Sequence, residues 1–173
     1  MPNNGIFAAL MLALGGGDMF VNYCQSGCVA SRDVPSHLSL AAGQVYLKDE
    51  RLGSQELYIR HDIGVAYGPF QPIYGLSLTD KMDIWAGGGL AWTVNTPIPS
   101  TSVQLHLMAG AFEHGSGIDL GGLLQYRSGI ELAWTAPDGF RIGLGWDHRS
   151  NAGKYEENPG METFHLRLSL PLD

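Results

Sequence analysis

From residue 36 to the C-terminus, apolar and polar positions alternate with the period of two that marks β-strands with unlike faces. Eight strands are predicted, at roughly 37–48, 55–67, 69–79, 82–94, 101–113, 122–135, 139–150 and 160–172. In the fifth, Val103, Leu105, Leu107, Ala109 and Ala111 oppose Gln104, His106, Met108 and Gly110. In the second, Leu57, Ile59, Ile63 and Val65 oppose Tyr58, Arg60, Asp62 and Gly64; in the sixth, Ile130, Leu132 and Trp134 oppose Gly129, Glu131 and Ala133. Turn-rich clusters at 49–54, 79–81, 95–97, 114–117 and 137–139 separate the strands. No amphipathic helix of useful length is predicted.

An even number of strands, each near the roughly 9–11 residues that cross a bilayer at a tilt, predicts a transmembrane barrel. The expected fold class is all-β: an eight-stranded, antiparallel, up-and-down β-barrel occupying residues 36–173. Alternation alone does not say which face is outside, because a soluble lipid-binding barrel turns the same apolar face inward. Two features favour the membrane form. The polar face carries Arg60, Asp62, Asp83, Glu131, Arg141 and Arg167, opposite charges that can pair in a narrow lumen, and it is rich in glycine (64, 87, 89, 129, 143, 145). Tyr67, Tyr74, Trp92, Trp134 and Trp146 fall near strand ends, where interfacial aromatic belts lie.

Composition narrows the classes further. At 173 residues the chain is one domain, and 24 Gly with 9 Pro is too many for a helical protein. Ten basic against 17 acidic residues leave a charge of −7 and no basic patch, which argues against a nucleic-acid partner. Residues 1–35 differ from the rest: Ile6–Leu14 is apolar, Gly15-Gly16-Gly17 follows, and no positive n-region precedes it. This segment is expected to be a degenerate signal or leader, consistent with export. Cys24 and Cys28 lie within it, either incidental or joined in a local disulfide; a metal site there lacks further ligands.

The hairpin over 139–172 carries the candidate chemistry. Phe140, Ile142, Leu144 and Trp146 share a face that His148 and Ser150 continue; Glu162, Phe164, Leu166, Leu168 and Leu170 share the corresponding face of the next strand, opposed by Thr163, His165, Arg167 and Ser169. Polar groups on a greasy face are costly unless they have a function. A serine becomes a nucleophile when a base takes its proton and a third group orients that base. His148 and Ser150, two apart on a strand, have Cα atoms roughly 6.6 Å apart. Antiparallel pairing sets Glu162 beside His148, at about 4.5–5.5 Å between Cα atoms. Asn151 and the Gly153 N–H follow where an oxyanion hole would be needed; their alternative role is an ordinary turn. His114 and His165 are read as structural.

The segment His148-Arg149-Ser150-Asn151-Ala152-Gly153, with Asn158, Gly160 and Glu162, resembles the signature of the outer-membrane lipid A 3-O-deacylases, and the strand ending Leu168-Ser169-Leu170-Pro171-Leu172 resembles that family's C-terminus. Strong similarity covers about 30 residues. The resemblance implies an integral outer-membrane serine esterase that removes the ester-linked 3-hydroxyacyl chain from the 3-position of lipid A, without metal or cofactor. Ser150 would be the nucleophile, His148 the base and then acid, Glu162 the group orienting His148, and Asn151 with the Gly153 N–H the oxyanion hole. The expected partners are lipid A or lipopolysaccharide and outer-membrane lipid, with a homodimer left open. Two features depart from the pattern: Asp173 stands where many such barrels end in an aromatic residue, and Glu156-Glu157 places negative charge in the hairpin. The competing readings are a non-catalytic structural barrel and a soluble lipid-binding barrel.

Overall fold

The computed structural model describes residues 5–47 and 50–172. Eight long strands dominate it: β1 (Ser36–Leu47), β2 (Glu50–Asp62), β3 (Phe70–Thr79), β4 (Ile84–Asn95), β5 (Thr101–Glu113), β6 (Leu124–Thr135), β7 (Arg141–Ser150) and β8 (Met161–Leu172). Each pairs antiparallel with its successor, and β8 returns to β1 with Leu166 opposite Ala42, closing the barrel. Closure leaves none of these eight strands as an unpaired edge, a requirement for β-structure in lipid.

Exposure decides the question that alternation left open. Leu57, Leu144 and Leu170 are 56 %, 52 % and 59 % exposed, whereas Arg60, Arg127 and Arg167 are 1 % or less. An apolar exterior around a charged interior suits a barrel solvated by lipid, and it excludes a soluble barrel with its apolar face inward. Tyr67, Tyr74, Trp134 and Trp146 stand on the outer surface as interfacial aromatics.

The lumen is filled rather than open. Arg127 donates to Glu56 (2.8 Å) and Asp147 (Nε, 2.7 Å), and its guanidinium stacks 3.8 Å from the centre of the Tyr58 ring. Arg149 reaches the other Glu56 oxygen, Arg60 binds Asp62 at 2.8 Å and Gln104 at 2.6 Å, and Arg167 binds Glu131. Trp85, Tyr58, Met108 and Phe112 occupy the remaining interior. Charges removed from water persist only when paired and hydrogen-bonded, and Arg60, Arg127, Arg149 and Arg167 each have a carboxylate.

Three expectations from the sequence differ from the structure. The cluster 49–54 is not wholly a turn: Asp49 lies outside the described residues, but β2 already runs from Glu50. Gly53, at φ +63°, produces a bulge, because the register slips from Gln44 opposite Gln55 to Tyr46 opposite Arg51. The strand expected over 55–67 stops at Asp62; Val65–Tyr67 turns away and pairs with Ser31–Asp33. Asp83 does not face the lumen from a strand. It sits just before β4, and its carboxylate accepts from Thr79 Oγ1, Gly115 N and Gly117 N, tying two loops at one rim.

The N-terminal segment expected to be a leader has a defined structure of its own. Ile6–Tyr23 forms one helix, long and apolar enough by length and composition to cross a membrane. It lies against the barrel's outer wall: Met11 packs with Trp92 and Leu105, and Trp92 Nε1 donates to Asp18 at 2.8 Å. Cys24 and Cys28 are joined in a disulfide just beyond it.

Candidate active site

Strand phase alone aims His148 and Ser150 outward, alternating with the inward-facing Asp147 and Arg149 of the lumen network. That network holds β7 on its inner side: Asp147 and Arg149 are each bonded to groups on other strands. The side chains on the outer side therefore project from a braced backbone. On β8, Glu162 is the direct antiparallel partner of His148. Cross-strand partners on one face are the closest side chains a sheet offers.

The pairing delivers a short contact. His148 Nδ1 lies 2.6 Å from Glu162 Oε1. A carboxylate can only accept, so Nδ1 carries the hydrogen and Nε2 is left as the basic nitrogen. Nε2 is buried and has no hydrogen-bond partner among the described residues. It is not bonded to Ser150 in this state, although both residues line one cavity of about 490 Å³. Serine–base contacts commonly tighten only when substrate is present. Tyr126 and Ser128, the β6 partners of Ser150 and His148, also line the cavity.

His148 and Ser150 are 4 % and 8 % exposed, far below the leucines on the same outer surface. The N-terminal helix supplies the cover. Gly5 and Ala8 line the cavity, and Phe7 meets the Trp146 ring edge-on, with 5.6 Å between centroids. The hairpin loop supplies the rest through Ala152, Gly153 and Asn158. Gly160, at φ +71°, lets the chain turn back into β8 beside the imidazole; a Cβ there would lie 3.3 Å from His148 Cε1.

The donors assigned to an oxyanion hole are engaged elsewhere in this state. Asn151 is fully buried, and its amide donates to Leu120 O (2.9 Å) and Glu157 O (2.6 Å). Its Oδ1 accepts from the Gly153 N–H at 2.9 Å, and its own N–H donates to Asn158 Oδ1 at 3.1 Å. Asn151 thus pins the β7–β8 loop to the β5–β6 loop. His165, on the polar face of β8 as its alternation predicts, stands in the lumen near Glu131 and Asp147. The second Glu162 oxygen is also occupied, which alternation does not reveal: Trp146 Nε1 donates to Oε2 at 2.6 Å. Trp146 was visible only as a belt aromatic.

The family model described as Lipid A 3-O-deacylase (PagL) matches residues 73–171, a span that includes His148, Ser150 and Glu162. Comparison by sequence with curated proteins gives no significant match. Among solved structures, the outer membrane enzyme PagL is similar at 16 % identity and a TM-score of 0.61, covering 79 % of this chain and 99 % of that one. Neisserial surface protein A is similar at 8 % identity and a TM-score of 0.53, covering 83 % and 99 %. A de novo designed transmembrane β-barrel gives 6 % and 0.58, covering 82 % and 98 %. At such identities these structures speak for the barrel alone.

Proposed function

The chain belongs to the lipid A 3-O-deacylase (PagL) family, and on that footing we propose that it is an outer-membrane serine esterase. Its substrate is lipid A, and the bond it breaks is the ester holding the 3-hydroxyacyl chain at the 3-position. The observation that carries this reading is the His148–Glu162 contact of 2.6 Å, beside a cavity that His148 and Ser150 both line.

The steps follow from the protonation state. Ser150 Oγ attacks the ester carbonyl while His148 Nε2 takes its proton, and Glu162 stabilises the imidazolium that results. The tetrahedral intermediate collapses as His148 returns the proton to the departing sugar oxygen, leaving the acyl group on Ser150. Water then attacks with His148 again as base, releasing the 3-hydroxy fatty acid and restoring the serine. For the oxyanion, the Gly153 N–H exchanges its Asn151 Oδ1 acceptor for the substrate oxygen, and Asn151 holds the loop in place. Placement on the outer wall suits a substrate that diffuses laterally in the leaflet, since its ester reaches the site without leaving the membrane. Residues 1–35 act as a separate leader segment, and the barrel from residue 36 onward carries the chemistry.

The test is mass spectrometry of lipid A incubated with the purified barrel. The wild type removes one 3-hydroxyacyl chain and Ser150→Ala removes none; activity retained in Ser150→Ala would overturn the assignment.

A further inference from the structure

Trp146 stands where a membrane barrel places interfacial aromatics, and such a residue commonly offers its indole N–H to water or lipid headgroups. Here that N–H is committed inward along the surface, to Glu162 Oε2 at 2.6 Å. Register explains the reach. Trp146 faces Phe164 directly and His148 faces Glu162, so Trp146 and Glu162 are diagonal neighbours on one face. Long aromatic side chains span that diagonal.

We propose that Trp146 is a positioning residue for the esterase reaction, clamping the Glu162 carboxylate so that its other oxygen stays on His148. This rests on the triad reading given above. Glu162 is only 18 % exposed in its side chain and projects into an apolar groove lined by Tyr46, Trp146 and Phe164. In such surroundings water cannot reliably hold the second oxygen. A carboxylate bonded through Oε1 alone turns about its terminal torsion, which is broad and poorly restrained. At orientations between its two equivalent half-turns neither oxygen meets His148 Nδ1, and the imidazole is released from the tautomer that leaves Nε2 basic. The indole N–H removes that freedom from the side opposite the imidazole.

Trp146 touches neither Ser150 nor the cavity that Ser150 lines, so its effect reaches the reaction through Glu162. A double-mutant cycle isolates that route. Trp146→Phe keeps the ring for the membrane interface and deletes the donor. The expected result is a fall in kcat of roughly tenfold, the worth of one hydrogen bond to a charged group, with KM unchanged. In a Glu162→Ala background the same substitution changes the residual rate less than twofold. Heat-modifiable gel mobility, scored on every variant, confirms a folded barrel. An equal tenfold loss in both backgrounds, a rise in KM without a fall in kcat, or no loss in either background would overturn the clamp. Failure of the triad reading is separately visible, as activity surviving in Ser150→Ala whatever Trp146→Phe does.

Discussion

Glu162 accepts two hydrogen bonds on separate oxygens, 2.6 Å from His148 Nδ1 and 2.6 Å from Trp146 Nε1. Both partners are donors, so only a group with two acceptor oxygens satisfies them together. Glu162→Gln retains shape but offers one acceptor and one NH₂, which must oppose either the imidazole or the indole. Glu162→Gln and Glu162→Ala are therefore both expected to lower kcat, by about 10²–10⁴-fold, with little change in KM. Steady-state kinetics on a synthetic 3-hydroxyacyl ester in detergent measures this. Near wild-type activity in Glu162→Gln would mean that the carboxylate does not orient the base.

Asn151 is built into the loop by five hydrogen bonds, three of its side chain, one of its backbone N–H and one that its carbonyl accepts from Lys154 N–H. Asn151→Asp sets a carboxylate oxygen against the carbonyls of Leu120 and Glu157, which the amide now satisfies. The expected outcome is a loosened loop and at least a tenfold loss of activity, from about 1–3 kcal/mol of unsatisfied buried groups. Limited proteolysis between residues 151 and 160 reports the loosening directly. Activity lost with unaltered protease resistance would assign Asn151 to the chemistry rather than to the scaffold.

Arg127 lies between Glu56 and Asp147, with all three buried. Arg127→Ala leaves two carboxylates facing one another in the lumen, and removing one member of a buried ion pair costs about 3–5 kcal/mol. The temperature at which the barrel loses its compact gel mobility is expected to fall sharply. Exposed Lys154 in the hairpin loop provides the control: Lys154→Ala leaves that temperature unchanged.

The helix Ile6–Tyr23 covers the cavity, yet the proposed triad lies wholly in β7 and β8. A barrel exported with a heterologous leader and beginning at Ser31 is expected to fold and to retain lipid A deacylation. Loss of activity in a folded barrel of this kind would make the helix part of the substrate site.

The central relationship was legible because it is local. The period of two puts His148, Ser150 and Glu162 on one face, and the hairpin sets Glu162 opposite His148. What escaped the sequence depends on partners distant along the chain or on backbone conformation. Asn151 takes its acceptor from Leu120, 31 residues earlier in another loop, so its scaffold role left no local signal. Gly53 belongs to a cluster that reads as a turn, but a single positive φ can serve a bulge equally well. The indole of Trp146 looked like any belt aromatic, because pattern gives the face of a side chain and not the aim of its N–H. The cover over His148 and Ser150 was hidden for a different reason: the apolar run at Ile6–Leu14 reads as a leader, and periodicity does not say where a helix docks.

The central claim is that Ser150, on the outer wall of the barrel, is the nucleophile. Covalent labelling with a long-chain alkyl fluorophosphonate in mixed micelles, mapped by peptide mass spectrometry, tests it most directly. The account predicts one label, on Ser150, strongly reduced in His148→Ala and absent in Ser150→Ala. A label on another residue such as Ser128, or undiminished labelling of the Ser150→Ala protein, would contradict it.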